Sequence, residues 1–240
     1  MGNAALAGRS ALVTGASRGI GARIAEALGA AGARVALVAR TRSALEDVAH
    51  RIGGEAFVVE ADLSDENAAA DAAARARELF GGAPDILVNN AGIFRIAELE
   101  SMPPSEFSTM LRLNLLAPFL MLREFLPAMR ARGSGHVVTI GSSADKVIYA
   151  GNGAYSATKF GMRAIHEVLR EETRGSGIRA TMVSPAGVDT DIWEAIQFLG
   201  TTETPDRSVM MDPQVVADAV LFAVTQPAGV NIDELRLSKA

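Results

Sequence analysis

Cysteine is absent from the 240 residues of the chain, which excludes disulfide bonds, thiol nucleophiles and zinc sites built on thiolates. Histidine is scarce, because only His50, His136 and His166 occur and none lies within four residues of another. The closely spaced histidine pair of many metal sites is therefore missing, and the sequence predicts no bound metal. We interpret all three histidines as structural residues.

Basic residues are in the minority and long apolar runs are missing. Lys and Arg number 23 against 28 Asp and Glu, a formal net charge of −5, which argues against a nucleic acid partner. No apolar stretch reaches the roughly 18 residues of a membrane span, because Asn114 and Pro118 interrupt the longest candidate. The start of the chain shows no signal-peptide pattern, and we expect a cytoplasmic protein without a membrane partner.

Apolar residues nevertheless make up 49% of the chain, which is enough for a sizeable core. Short strand-like runs, such as Val35 to Val38 and Val137 to Ile140, alternate with longer helical patterns. This alternation is typical of parallel strands that helices cover on both faces. The sequence predicts an α/β fold with a doubly wound parallel sheet, in one domain over residues 1–240.

Three of the helical patterns bear on the later argument. Two long helices are predicted from about Ser105 to Ala131 and from about Ala154 to Arg174. An Ala-rich helix is predicted from about Asp65 to Phe80, with Ser64 as its expected N-cap because a serine hydroxyl accepts bonds from the first helical N–H groups.

A glycine-rich turn joins the first strand to the first helix and contains Gly15, Gly19 and Gly21. The first glycine lets the chain leave the strand sharply, the second lets the backbone approach a pyrophosphate, and the third lets helix and strand pack closely. The N–H groups that begin the helix then face the phosphates. The same letters match the G-x-S-x-G nucleophile elbow of α/β-hydrolases, but that elbow needs earlier strands, and only about a dozen residues precede the turn. We interpret the turn as a dinucleotide site.

Tyr155 and Lys159 lie four residues apart at the start of a predicted helix, which places them on one face. A free phenol is a poor acid or base at pH 7, but a nearby ammonium stabilises the phenolate. By itself the pair is also typical of an exposed helix surface. Ser142 follows the strand Val137 to Ile140 at the carboxyl edge, where such sheets bind ligands, and this neighbour favours a catalytic site.

These motifs together resemble the short-chain dehydrogenase/reductase family. The glycine turn, Asn89-Asn90-Ala91-Gly92, Ser142 and the Tyr155–Lys159 pair occur in the family's order, and the resemblance runs from about Arg9 to Thr190. Within the family, the chain resembles the shorter, single-domain branch that includes 3-oxoacyl-carrier-protein reductases. The resemblance implies a Rossmann fold and a nicotinamide dinucleotide cofactor.

The resemblance also implies catalytic roles by position. Tyr155 would be the general acid and base, Lys159 would favour its ionised form and bind the nicotinamide ribose, and Ser142 would orient the carbonyl. Ser143 is the alternative hydroxyl, but Ser142 has the family's spacing. Asn114 matches a fourth position, whose backbone carbonyl holds a water. The carbonyl of Asn114 lies four residues before Pro118, which has no N–H, so it loses its helical partner; a simple helix kink is a compatible interpretation.

The cofactor implied for this chain is NADP(H). NAD-specific sheets usually end the second strand with an acid, whereas this chain has Ala39 followed by Arg40, and Arg18 supplies a second cation. Ala186 departs from the family, which usually has Gly after the proline. The implied cofactor contacts are Gly15, Ser17, Arg18, Gly19, Ile20, Gly21, Arg40, Asp62, Leu63, Asn90, Ala91, Gly92, Tyr155, Lys159, Pro185, Val188 and Thr190.

Three functions remain open. The first is NADP(H)-dependent interconversion of a ketone or aldehyde and an alcohol. The second is reduction of acyl groups on a carrier protein, which would want a basic patch; four arginines that end the two long helices offer one, although helix ends attract arginine anyway. The third is dinucleotide sensing without catalysis, which we disfavour because the chain keeps Tyr155 and Lys159.

Large apolar residues in the loops around the site favour a small, mostly apolar carbonyl substrate, although loop packing or a subunit contact is an equal alternative. Trp193 and its neighbours are candidates for a lid. We also expect a homo-oligomer, a tetramer or dimer, that associates through the two long helices. The loop residues are Phe94, Val147, Ile148, Tyr149, Trp193, Ile196 and Phe198.

Overall fold

The computed structural model describes residues 4–194 and 206–240, and these ranges contain seven parallel strands in one sheet. The strands are β1 (Ser10–Thr14), β2 (Arg34–Ala39), β3 (Ala56–Glu60), β4 (Ile86–Asn89), β5 (Gly135–Ile140), β6 (Ile178–Pro185) and β7 (Glu234–Leu237). Their order across the sheet is β3-β2-β1-β4-β5-β6-β7, and every neighbouring pair is parallel. The predicted doubly wound parallel sheet is confirmed.

Helices cover both faces of this sheet. They are α1 (Gly19–Ala30), α2 (Arg42–Ile52), α3 (Glu66–Phe80), α4 (Pro104–Leu111), α5 (Ala117–Arg132), α6 (Gly153–Thr173) and α7 (Pro213–Val224). In β2, Val35 and Leu37 join the core layer under α1, α2 and α7, whereas Ala36 and Val38 join the layer under α3, α5 and α6. Because both faces are buried, the strand is apolar at successive positions rather than at alternate ones.

The long helical region predicted from about Ser105 to Ala131 is confirmed, but it is not α-helical throughout. Helix α4 ends at Leu111, a π-helical turn spans Arg112–Leu116, and α5 starts at Ala117. The N–H of Ala117 bonds to the carbonyl of Arg112, five residues earlier. Pro118 has no N–H to donate to an earlier carbonyl, so a regular α-helix would lack one hydrogen bond here. The wider π-helical turn accommodates the backbone at this position.

Asp65, not the predicted Ser64, is the N-cap of α3. The Asp65 carboxylate accepts a bond from the N–H of Ala68 at 2.8 Å. The Ser64 hydroxyl instead donates to Asp62 at 2.7 Å, which removes it from the helix end. The aspartate was available one residue later and is an equally good cap. None of the helices in the described ranges combines the length and apolar character that crossing a membrane requires.

Candidate active site and cofactor cleft

A cleft of about 1300 Å³ opens at the carboxyl ends of the strands, where parallel sheets bind ligands. It brings together all of the predicted site residues except Asn114. Those on its wall are Gly15, Ser17, Arg18, Gly19, Ile20, Gly21, Arg40, Asp62, Leu63, Asn90, Ala91, Gly92, Ser142, Tyr155, Lys159, Pro185, Val188 and Thr190.

The glycine turn has the shape that an anionic ligand needs. Gly15 and Gly19 have φ values of +67° and +55°, which disfavour any side chain. A Cβ on Gly21 would lie 2.2 Å from the Gly15 carbonyl oxygen. Helix α1 begins at Gly19 with no side-chain cap and no acidic residue in its first turn, so its first N–H groups remain for a ligand. The turn therefore fits the pyrophosphate of a dinucleotide.

Thr14 and Asn90 lock the glycine turn to the loop after β4. The Thr14 hydroxyl accepts bonds from the N–H groups of Asn90 and Ala91, each at 3.0 Å. The Asn90 amide donates to the carbonyls of Thr14 at 2.9 Å and Gly15 at 3.3 Å. The Asn90 side chain thus holds the turn. Thr14 was not among the predicted contacts, although its place directly before the first glycine was a signal.

The residues expected around the adenosine lie at the ends of β2 and β3. Arg40 is exposed directly after Ala39. The Asp62 carboxylate accepts bonds from the Ser64 N–H at 3.0 Å and the Ser64 hydroxyl at 2.7 Å. Partial burial would raise the pKa of Asp62, but these two hydrogen bonds and the charge of Arg40 lower it below its usual value. Asp62 therefore begins a turn as well as lining the cleft, as an anion.

The segment after β6 is pinned from two sides. The N–H of Ala186 donates to the carbonyl of Leu237 at 2.8 Å, and the Gly187 carbonyl accepts from the N–H of Met211 at 3.0 Å. Among the described residues, only glycines have a positive φ. Ala186 in place of the family's usual glycine therefore adopts an ordinary backbone conformation without strain.

Ser142, Tyr155 and Lys159 all line the cleft. The buried Lys159 ammonium donates to the carbonyl of Ile140 at 3.0 Å and lies 5.6 Å from the centroid of the Tyr155 ring. The Ser142 hydroxyl accepts a bond from the N–H of Ala144 at 3.2 Å, which leaves its own proton to donate. The site thus presents two hydroxyl donors and a cation, a set suited to a carbonyl oxygen that gains negative charge.

Asn114 is buried behind the wall of the cleft, in the π-helical turn. Its Oδ1 accepts from the N–H of Ile93 and its Nδ2 donates to the carbonyl of Ile93, both at 2.8 Å. Nδ2 also donates to the Thr158 hydroxyl at 3.2 Å, and that hydroxyl donates to the carbonyl of Tyr155 at 2.7 Å. The side chain therefore ties the loop after β4 to α6, a contact that sequence reasoning missed.

An aromatic wall stands beside Tyr155. The ring of Phe94 lies 4.6 Å from that of Tyr155 and 5.4 Å from that of Trp193, and the Trp193 indole donates to the Val188 carbonyl at 2.8 Å. Tyr149 also lines the cleft, as predicted.

Not every apolar loop residue belongs to this wall. Val147 and Ile148 are 42% and 72% exposed and are not among the residues that line the cleft, so for them the structure favours the alternative of loop packing or a subunit contact. Ile196 and Phe198 fall outside the described residues.

Comparisons with known proteins agree with this geometry. The family model of the short chain dehydrogenases matches residues 9–198. An uncharacterized oxidoreductase of Staphylococcus aureus strain MW2 is 32% identical, over 96% of each protein. A glycine betaine reductase of Emericella nidulans is 36% identical over 96% of this chain, but the chain spans only 18% of the length of that protein.

Solved structures give the same result. A metagenomic short-chain oxidoreductase in complex with NADP is 37% identical, with 98% of this chain and 99% of that one covered and a TM-score of 0.83. An alcohol dehydrogenase from the archaeon Thermococcus sibiricus, complexed with 5-hydroxy-NADP, is 30% identical over 96% of each chain, with a TM-score of 0.85. The chain therefore belongs to the short-chain dehydrogenase/reductase family of oxidoreductases.

Proposed function

We propose that the protein is an NADP(H)-dependent oxidoreductase that interconverts a ketone or aldehyde with an alcohol. The observation that carries this proposal is the meeting of Ser142, Tyr155 and Lys159 with the glycine turn on the wall of one cleft. A bound nicotinamide dinucleotide would supply a hydride to the carbonyl carbon or accept one from the alcohol. The NADP complexes of the two solved relatives support this cofactor.

The residues of the cleft divide among the parts of the cofactor. The glycine turn would hold the pyrophosphate, and Asp62 with Leu63 would hold the adenine. Arg40 would bind the 2′-phosphate through its guanidinium. Pro185, Val188 and Thr190, with the loop Asn90 to Gly92, would border the nicotinamide.

Each polar group near Tyr155 has a role in the proposed proton transfer. The Tyr155 hydroxyl donates its proton to the carbonyl oxygen during reduction and takes it back during oxidation. The Lys159 ammonium stabilises the phenolate left behind. The Ser142 hydroxyl hydrogen-bonds the same carbonyl oxygen. The Asn114 carbonyl, which Pro118 gives no N–H partner, would hold a water that returns the proton from solvent.

The substrate we propose is small, uncharged and largely apolar. Phe94, Trp193 and Tyr149 present aromatic surface beside Tyr155. Arg207, which follows the cleft residue Asp206, is already paired with Asp189. The sequence of residues 195–205 contains no lysine or arginine. Among the described residues beside Tyr155 the cation is Lys159, which the tyrosine uses, so a substrate carboxylate or phosphate would have no cation of its own there.

Reduction of acyl groups on a carrier protein has less support. The four arginines that end the two long helices each lie within 4 Å of a carboxylate, which cancels their charge locally. The pairs are Arg130–Glu172, Arg132–Asp85, Arg170–Glu167 and Arg174–Glu171.

We also retain two proposals about the whole chain, namely that residues 1–240 form a single domain and that the protein is a homo-oligomer.

The proposed function is tested by Tyr155→Phe, which removes the proton donor and keeps the ring. With NADPH and a panel of uncharged ketones and aldehydes, we expect turnover to fall at least about a hundredfold. The dissociation constant of NADPH, measured by fluorescence, should change by less than about twofold. Tyr149→Phe is the matched control, because its hydroxyl also lies in the cleft but contacts Ser143 at 3.3 Å. Retention of more than about a tenth of the wild-type rate by Tyr155→Phe would contradict the role.

A further inference from the structure

A buried carboxylate lies directly behind the loop that carries Ser142. Asp145 has 0% of its side chain exposed and ends the one-turn 3-10 helix Ser143–Asp145. Its Oδ2 accepts bonds from the backbone N–H of Ser142 at 3.2 Å and from the hydroxyl of Ser184 at 2.6 Å. A charge buried this completely is unfavourable unless it is both paired and hydrogen-bonded. Asp145 meets both conditions only because several elements converge on it.

The cation that pairs with Asp145 comes from the helix of Tyr155 and Lys159. Arg163 Nη2 donates to Asp145 Oδ1 at 2.9 Å and to Glu234 Oε1 in β7 at 2.7 Å. Arg163 follows Lys159 by four residues and Tyr155 by eight, so the three side chains share one face of α6. The carboxylate therefore joins the Ser142 loop to the same helix face that carries the tyrosine.

The atoms around the Asp145 carboxylate leave no room for a side chain at position 141. A Cβ on Gly141 would lie 2.5 Å from Asp145 Oδ2 and 2.6 Å from the Ser184 hydroxyl. The φ of Gly141 is not positive, so space rather than backbone conformation requires a glycine before Ser142. Ser184 in turn precedes Pro185, which borders the cleft. Three parts of the site thus meet at one buried anion.

We propose that Asp145, held by Arg163, is the positioning residue that fixes Ser142 relative to Tyr155. The inference rests on the proposed function of those two hydroxyls. Asp145 binds the backbone of Ser142 and not its hydroxyl, so it acts on catalysis through geometry alone. A misplacement of about 1 Å in a reacting group lowers a rate by up to about a hundredfold.

Asp145→Asn tests the proposal with almost no change of volume. An amide has one accepting oxygen, so at least one of the three donors around it would face an NH2 group. We expect kcat to fall about 10- to 100-fold. The dissociation constant of NADPH should stay within about twofold. The matched control is Glu167→Gln, which removes another carboxylate near Arg163, at 3.8 Å, on the exposed side of α6 and should keep kcat within about threefold.

A double-mutant cycle with Ser142→Ala separates positioning from general damage. If Asp145 acts through the Ser142 hydroxyl, Asp145→Asn should lower the kcat of the Ser142→Ala enzyme by less than about twofold. An equal loss in both backgrounds would overturn the proposal, because the carboxylate would then act independently of Ser142.

Amide hydrogen exchange of residues 141–147 provides a measurement that needs no turnover. We expect faster exchange of this segment in Asp145→Asn, and unchanged exchange in Glu167→Gln, because the ion pairs of Glu167 are with Arg163 and Arg170 and not with the loop. If Asp145→Asn does not fold, Ser184→Ala removes one of its donors and should produce a smaller change in the same segment. Unchanged exchange in the folded variant would refute the positioning. If exchange changes while the wild type reduces no carbonyl, the proposed function fails and the placement of the loop by Asp145 stands.

Discussion

The ring of Phe94 packs against the ring of Tyr155 with centroids 4.6 Å apart and an angle of 62° between the planes. Such a pair contributes about 0.5–1.5 kcal/mol of stability beyond the burial of its apolar surface. Here the Phe94 ring holds the Tyr155 ring on one side. We expect Phe94→Ala to lower kcat/KM for apolar carbonyl substrates by about tenfold and to leave NADPH binding unchanged. Phe94→Leu keeps apolar volume, and its kcat/KM should lie between those of the wild type and Phe94→Ala. Equal kcat/KM in all three proteins would show that the pair has no part in catalysis.

The preference for NADPH should depend on Arg40 more than on Arg18. Arg40 forms no ion pair within residues 4–194 and 206–240, whereas the Arg18 guanidinium lies 3.9 Å from Asp191. A charge-assisted bond to phosphate contributes about 1.5–3 kcal/mol, so Arg40→Ala should weaken NADPH binding roughly 10- to 100-fold and barely affect NADH. Arg18→Ala should have a smaller effect. Titration with both dinucleotides measures this; equal wild-type affinities, or unchanged NADPH binding in both variants, would contradict it.

An exposed apolar surface on α5 and α6 predicts association of the chain with copies of itself. Phe119, Phe160 and Val168 are 44%, 40% and 55% exposed on these two helices. Light scattering at micromolar concentration should give two or four times 25.1 kDa, and Phe119→Glu combined with Val168→Glu should lower that mass. Val230→Glu, on an exposed loop residue, is the control. A 25.1 kDa wild-type species would refute the prediction.

Two buried histidines should make the fold sensitive to acid. Burial, and then nearby arginines, lower the pKa of His136 to about 3 and that of His166 to about 4. An unfolded histidine has a pKa near 6.5, so the unfolded state binds protons first and stability falls as the pH drops below that value. Between pH 7 and pH 5 we expect a loss of about 2 kcal/mol for each histidine, measured by urea unfolding. Replacing both histidines with Gln should reduce the change in unfolding free energy between pH 7 and pH 5. An unchanged pH dependence in that variant would show that carboxylates cause it.

Much of the cleft was predictable because its residues follow strands. Once Thr14, Ala39 and Ile140 are recognised as strand ends, parallel topology brings the residues after them to one edge of the sheet. The Tyr155–Lys159 spacing similarly fixes a common helix face. Local patterns of this kind carry over directly into the structure.

Contacts between distant charged residues were not predictable. Asp145 and Arg163 lie on different elements, and Glu234 lies 71 residues after Arg163, so no periodicity links them. Charged side chains are mostly exposed, and nothing in the sequence around Asp145 marks it as an exception. Its burial arises only when the loop after β5 folds back against α6.

The π-helical turn Arg112–Leu116 sets the rotational phase between α4 and α5. It holds one residue more than an α-helical turn, and the wider turn absorbs that residue, so deleting one residue there would let the backbone close into a regular helix while α4 and α5 keep their faces. With one residue fewer in the turn, Asn114 and Leu115 could not both keep their present places beside Ile93 and Gly161. In this segment the number of residues matters as much as their identity.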